Sequence, residues 1–295
     1  MMLRSLWSKK AGHSSSFASR LPCAAAVEWH SRMNSFYNGR SNICNGLCQP
    51  QRRLGRSGQE GAEAMEAKRT AAEEAVKFIR EGMTVGLGTG STAYWAIRAI
   101  GARVAEGLRI QAVATSEATE RLARECGIPL LDKLTELDIT IDGADEVDGR
   151  LNAIKGGGGA LLREKLVAAA SRELILIVDD SKCVDGLGGF PLPVEVVPFG
   201  AELTMRQIGR LGCRPVLRER EGRPFVTDNG NYIADCAFGR IEHPEELQHR
   251  LKRITGVVDH GLFIGMADKL IIGHGSGGVS VREREENDTT KGRKI

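Results

Sequence analysis

From residue 64 to residue 178, short apolar runs alternate with helix-period segments, and glycine-rich turns follow several of the runs. Ala71, Ala72, Ala75, Val76 and Ile79 recur at helical spacing and stop at Gly82. The pattern then predicts a strand over 83–87, a helix over 93–105, and a strand over 110–114. A helix opened by Ser116 and Glu117 and a strand over 137–141 come next. A helix over 160–170 and a buried strand over 174–178 complete the series. Strand-helix-strand repetition with fully apolar strands implies a parallel sheet covered by helices on both faces, an α/β fold.

The rhythm changes near Gly188-Gly189-Phe190-Pro191. Strands are expected over 194–197, 214–217, 225–227 and 232–236, and helices over 200–211 and 244–254. Asp228-Asn229-Gly230-Asn231 reads as a hairpin turn. This is the signature of a smaller antiparallel α+β unit. A last apolar strand over 269–272 is expected to return to the first sheet. The predicted organisation is therefore a parallel α/β domain over 65–188 and 263–280, with a small α+β domain over 189–262. A disordered extension over 1–64 and a frayed charged tail over 281–295 flank them.

Charge is unevenly placed. The chain of 295 residues carries a formal +3, but residues 1–60 alone hold nine basic and two acidic residues, leaving −4 on the rest. The body thus offers no basic face for nucleic acid, and no apolar run approaches the ~20 residues of a membrane helix. The Arg- and Ser-rich, acid-poor opening fits either an organellar targeting segment or translation from an upstream start, with the functional chain beginning near Met65. The seven cysteines show no CxxC and no His at zinc spacing, so reduced thiols and a cytoplasmic location are expected.

Three motifs carry chemistry. In Gly86-Leu87-Gly88-Thr89-Gly90-Ser91-Thr92, between a strand and a helix, exposed N–H groups, two hydroxyls and a helix N-terminus make an anion site suited to phosphate. Gly88-x-Gly90-x-x-Ala93 also fits a dinucleotide fingerprint. The strand that should supply the ribose-binding acid ends in Thr115-Ser116, however, so a small phosphorylated substrate is preferred. Asp142-Gly143-Ala144-Asp145-Glu146 places three carboxylates at the carboxyl end of a strand, where open parallel sheets bind ligands. Such a cluster needs solvent, a cation or substrate hydroxyls to satisfy it, and no supporting metal ligand stands at a suitable spacing. Lys155 precedes Gly156-Gly157-Gly158-Gly159, the reverse of the Walker order. Four glycines have no packing use by sequence, and are expected to lie against a ligand with their N–H groups free. Glu164 falls in the first two turns of the following helix. A phosphate loop, a carboxylate turn, a lysine and a glutamate are the groups needed to move a proton between adjacent carbons of a sugar phosphate.

These motifs, with Asp180-Ser181-Lys182, Phe190-Pro191-Leu192-Pro193-Val194-Glu195-Val196 and Thr227-Asp228-Asn229-Gly230-Asn231, occur in one order over residues 65–280. In that order and spacing the chain resembles the ribose-5-phosphate isomerase A family. The resemblance implies an aldose–ketose isomerase of the non-oxidative pentose phosphate pathway, interconverting ribose 5-phosphate and ribulose 5-phosphate without metal or organic cofactor. It implies Glu164 as the base between C1 and C2, Asp142 at ring opening, and Asp145 on substrate hydroxyls. Lys155 with the amides of Gly156, Gly157 and Gly158 would hold the enediolate. Thr89, Gly90, Ser91 and Thr92 would bind substrate, together with Gly143, Ala144, Lys182 and, from the first helix, Lys68. It also implies a Rossmann-like α/β catalytic domain over 65–188 and 263–280, a ferredoxin-like small domain and a homodimer or homotetramer. The segment 218–223 looks longer than the family pattern and is expected to lie far from the motifs, and Ala in place of Gly159 is expected to be tolerated.

Other readings fit less well. A sugar-phosphate sensor would lose the carboxylates and carry a helix-turn-helix. An amino-sugar phosphate deaminase would call on a His near the acid pair, and none lies between His30 and His243.

Overall fold

The computed structural model describes residues 57–284, which form one compact unit. The sequence expectations for 1–56 and 285–295 lie outside the described residues. Along the chain come α1 (Ser57–Val76), β1 (Thr84–Leu87), α2 (Ser91–Ala105), β2 (Gln111–Ala114), α3 (Glu117–Glu125) and β3 (Leu137–Asp142). Then follow β4 (Glu146–Val147), β5 (Ala153–Ile154), α4 (Leu161–Ala169) and β6 (Ser171–Asp179), which runs into a 3₁₀ turn at Asp180–Lys182. The next segment holds β7 (Leu192–Val196), α5 (Ala201–Gly209), β8 (Arg214–Leu217), β9 (Glu219–Arg220), β10 (Arg223–Pro224) and β11 (Tyr232–Ala237). The last elements are α6 (Pro244–Lys252), β12 (Val257–His260), β13 (Leu262–Phe263), β14 (Lys269–Gly273) and β15 (Val279–Glu283).

The main sheet has the order β15-β14-β6-β3-β1-β2. All its pairings are parallel except β14 with β15. Alternation along the strands feeds two cores. Ile139, Ile141, Ile175, Ile177 and Ile271 pack with Ala71, Ala75, Ala96, Ile97 and Ile100 of the first two helices and with Ile79, which follows α1. Leu174, Leu176, Val178, Leu270 and Ile272 face the other way, onto Phe263, Leu151 and Ala168. Strands buried on both faces are what an α/β sheet requires. The chain passes from β1 out to β2 and returns across β1 to β3. The switch in direction therefore falls between β1 and β3, where such sheets open a crevice at their carboxyl edge.

The second sheet has the order β12-β7-β11-β8, antiparallel throughout, and with α5 and α6 follows β-α-β-β-α-β along the chain. Its core joins Val194, Val196, Ile208, Ala234, Cys236, Leu247 and Leu251. A three-stranded patch, β13-β5-β4, lies at the base of the acidic turn.

Several expectations need correction. Helix α1 begins at Ser57, ahead of Met65, because Ala62, Glu63 and Ala64 are helix formers that extend the packed helix into solvent. The chain beyond Ser280 continues as β15 to Glu283. Glu283 reaches Lys269 across the pair at 3.2 Å, and Lys269 also meets Glu173 at 2.8 Å. The strand expected over 225–227 is a single bridge, Val226 to Tyr232, while the neighbouring Arg223–Pro224 pairs with Glu219–Arg220.

Candidate active site

The carboxyl ends of β1 and β3 bring the first two motifs into contact. Gly88 packs so closely on Asp142 that a Cβ there would stand 2.2 Å from Asp142 Oδ1 and 2.5 Å from its Cα. This proximity lets the Thr89 N–H donate to Asp142 Oδ1 at 3.0 Å, beside the Gly143 N–H at 2.8 Å. Gly90, at φ 121°, turns the chain into α2, whose first residues are Ser91 and a buried Thr92. The Thr89 hydroxyl is engaged behind the loop with Thr115 at 2.7 Å, Ser116 at 2.9 Å and Thr119 at 3.0 Å. Sequence reasoning missed this hydroxyl cluster, since only the packing of α3 beside the loop assembles it. The loop's anion-binding capacity therefore lies in its amides and in Ser91 and Thr92.

Lys155 follows β5 and lies beneath the acidic turn, 2% exposed. Its Nζ stands 3.0 Å from Asp142 Oδ2 and 3.2 Å from Glu164 Oε1, and donates to the Gly143 carbonyl at 2.5 Å. The space between the two carboxylates is thus filled by an ammonium group. Glu164, in the first turn of α4, is 4% exposed, and its second oxygen, Oε2, is buried without a hydrogen-bond partner among the described residues. Buried carboxylate oxygens are normally satisfied; among the described residues Glu195 Oε2 shares this condition, but it has no ammonium beside it as Glu164 has in Lys155. Asp145 accepts from the Gly157 N–H at 2.7 Å. Glu146, the third acid of the turn, points away and takes the N–H groups of Gly188 and Phe190, so it is a structural anchor. Ala144 is turned into the core beside Val147 and Leu176, which leaves only its backbone for a ligand.

Burial sets the protonation of this cluster. It pushes the Glu164 carboxyl up to about 8, against the Lys155 ammonium and with reinforcement from Asp142 and Asp145. The Asp142 carboxyl is also raised by burial, opposed by Lys155 and by the Thr89 and Gly143 amides. Asp145 is raised by burial, with the Gly157 amide, Lys155, Lys182 and Arg218 pulling it back. Burial works against the charge on Lys155, but Asp142, Glu164 and Asp145 outweigh it and hold the ammonium above the ordinary lysine range. Between the two carboxyls on Lys155, Glu164 is the readier to take a proton near neutrality. Asp142 keeps two amide donors and the ammonium, whereas Glu164 Oε2 has none.

Lys68 of α1 lies 3.9 Å from Asp179, at the end of β6. Burial lowers its pKa, Asp179 opposes this, and the nearby Lys182 adds to the lowering. The same Lys182 acts on Asp145, so Lys68 and Lys182 form a cationic corner at the sheet edge.

The glycine run is more than a ligand cradle. Gly156 and Gly159 have φ of 103° and 86°, conformations that favour glycine. A Cβ on Gly157 would meet Asp145 Oδ1 at 2.6 Å, and one on Gly159 would meet the Phe225 ring at 2.4 Å. The expectations that the glycines lack a packing use and that Ala would serve at 159 are both overturned here by backbone angle and contact. The segment 218–223 is likewise not remote, for Arg218 donates to the carbonyls of Gly156 at 2.9 Å and Gly157 at 3.0 Å. No spacing in the sequence announces that contact, which two sheets create together.

Behind Glu164, Lys165 donates to Asp259 Oδ1 at 2.6 Å and to the His260 carbonyl at 2.5 Å. The buried Phe263 ring lies 5.0 Å from Lys165 Nζ and 5.4 Å from Lys155 Nζ. α4 is therefore held from both of its neighbouring lysines.

The family model for ribose 5-phosphate isomerase A (phosphoriboisomerase A) matches residues 111–277. Ribose-5-phosphate isomerase A of Bacillus mycoides is 55% identical over 216 residues, 72% of this chain and 98% of that protein. A solved ribose 5-phosphate isomerase from Plasmodium falciparum aligns with a TM-score of 0.72 and 41% identity, covering 76% of this chain and 99% of that one. A D-ribose-5-phosphate isomerase solved in complex with phospho-erythronic acid aligns with a TM-score of 0.71 and 39% identity, covering 74% and 97%. With the family model spanning more than half of its length and relatives matched over nearly their whole length, this chain belongs to the ribose 5-phosphate isomerase A family.

Proposed function

We propose that this chain interconverts ribose 5-phosphate and ribulose 5-phosphate through an enediolate, with Glu164 as the base that carries the proton between C1 and C2. The observation that carries the reading is the buried Oε2 of Glu164, without a hydrogen-bond partner among the described residues and next to an ammonium that stands between two carboxylates. A carboxylate poised near neutrality, with one free oxygen, suits proton abstraction beside a carbonyl. The Lys155 ammonium would hold the developing oxyanion, aided by the amides of the glycine run. Asp142, anchored by two amides, would manage the ring-oxygen proton, and Asp145 would receive substrate hydroxyls. The amides of 90–92, the Ser91 and Thr92 hydroxyls and the Lys68–Lys182 corner would hold the phosphate.

We place the enzyme in the cytoplasm as a homodimer or homotetramer. No helix among the described residues is long and apolar enough to cross a membrane. Phe199, 94% exposed, and Leu203 beside it offer apolar surface to a second subunit. Sedimentation of the purified chain at several concentrations checks this, and a monomer throughout would exclude it.

The decisive assay follows ribulose 5-phosphate formed from ribose 5-phosphate with EDTA present, in wild type and Glu164→Gln. Turnover that resists chelation and collapses in the variant supports the reading. A folded wild type with no turnover removes it, and turnover abolished by EDTA replaces the mechanism.

A further inference from the structure

We propose that Arg218 is a positioning residue for the isomerisation, fixing the peptide planes of the glycine run so that their N–H groups face the carboxylate side of the site. The proposal rests on the enediolate reading above. Arg218 follows β8 in the second sheet, and its side chain is 15% exposed. Nε donates to Asp235 Oδ2 at 3.0 Å and Nη2 to Asp235 Oδ1 at 2.5 Å, a bidentate fork that fixes the guanidinium plane. The remaining nitrogen, Nη1, donates to the Gly156 and Gly157 carbonyls.

A trans peptide points its C=O and the following N–H in opposite directions. Turning the Gly156 carbonyl to Arg218 therefore turns the Gly157 N–H away from it, where it meets Asp145 Oδ2 at 2.7 Å. One peptide unit is thus clamped at both ends. By the same rule, the Gly157 carbonyl on Arg218 aims the Gly158 N–H away from Arg218, and Gly158 is exposed. Glycines rotate freely, and amides useful to an oxyanion must be fixed before charge develops. The ion pair with Asp235 alone would satisfy Arg218 as a surface-sheet residue. Its third nitrogen is engaged instead across the sheet boundary, on two glycine carbonyls, of which Gly156 also accepts from the Gly159 N–H at 2.9 Å and Gly157 is held by Arg218. Lysine cannot replace it, because a single ammonium lacks the planar fork that reaches a carboxylate and two carbonyls at once.

The experiment compares wild type, Arg218→Met, Arg218→Lys and Asp235→Asn. It measures kcat and KM for ribose 5-phosphate, inhibition by phospho-erythronic acid, and thermal unfolding. The planar carboxylate of that acid offers negative oxygen to the amides as the enediolate would. Arg218→Met should lower kcat about 10- to 100-fold with KM within about 3-fold, the scale on which misplacing catalytic groups acts. Inhibitor affinity should weaken in step with kcat, and Arg218→Lys should restore only part of the loss. If Arg218→Met does not fold, Asp235→Asn, which loosens the fork and keeps the guanidinium, should show the same split at about 3- to 10-fold. Wild-type kcat in a folded Arg218→Met, a loss confined to KM, or full rescue by lysine would overturn the proposal. Wild-type turnover and the Glu164→Gln control in the same assay test the enediolate reading separately.

Discussion

Glu164 combines burial, an ammonium on one oxygen and no partner on the other, and each property has a measurable consequence. Glu164→Gln keeps an acceptor for Lys155 but cannot take a proton, so turnover should fall about 10²- to 10⁴-fold with KM little changed. Near-normal turnover in that variant would remove Glu164 from the role. The carboxyl is pushed up to about 8 by burial, above its unfolded value. A carboxyl with a raised folded pKa favours the folded state most at pH below its unfolded pKa, and that contribution is lost as pH rises through 8. Glu164→Gln should therefore unfold at higher temperature than wild type at pH 8, by about 2–4 °C for each kcal/mol relieved. The gain should vanish near pH 4. The base must be ionised to work, so kcat/KM should rise with pH along a limb set well above the ordinary carboxylate range. Lys155 lowers the Glu164 pKa, so in Lys155→Met that limb should move to still higher pH, beyond the overall loss of rate.

At the scale of elements, the site depends on loops held closer together than side chains permit. Gly88 lies against both the carboxylate and the backbone of Asp142. A methyl group there has nowhere to go, because the obstructing Cα belongs to a central strand. Gly88→Ala should cost more than the ~1–3 kcal/mol usual for overpacking, measured by urea unfolding, and should abolish turnover. Gly159 differs, since what a Cβ would meet is the Phe225 ring, stacked 4.6 Å from the Arg220 guanidinium. The motif read as a phosphate loop and the motif read as a carboxylate turn are thus one structure, joined through Thr89 and Gly88.

For the molecule as a whole, the two sheets are tied at α4. Lys165 on that helix pairs with Asp259 of β12, which also meets Lys252 of α6 at 3.2 Å. Burial opposes ionisation of Asp259, but Lys165 holds its carboxyl down at about 2. A depressed carboxylate adds stability above its unfolded pKa of ~4 that is lost as pH falls toward 2. Asp259→Asn should cost about 1–2 kcal/mol at pH 7, and the difference from wild type should shrink between pH 4 and 2 in chemical unfolding. A constant difference across that range would detach the pair from acid stability. The His260 imidazole beside it is pushed down to about 3, chiefly by burial and then by Lys165, so it is neutral at pH 7 and takes up its own proton midway through the same window.

Residue order by itself determined the parallel sheet and the position of the glycine loop and acidic turn at strand ends, and it offered Asp142, Asp145, Lys155 and Glu164 as candidates. Those features are local: apolar period, glycine at a turn, and an acid next to a strand end survive in a linear string. Tertiary structure decided what depends on distant segments meeting. It turned the Glu146 carboxylate away and packed the Ala144 methyl on the core, engaged the Thr89 hydroxyl with Thr115, Ser116 and Thr119, and brought Arg218 onto Gly156 and Gly157. It also made β15 a strand, since a charged segment pairs only where an edge of the sheet stands open beside it. The identity of an acid can be read from one position. Its protonation, and so its chemistry, follows from burial and neighbours that only the folded chain assembles.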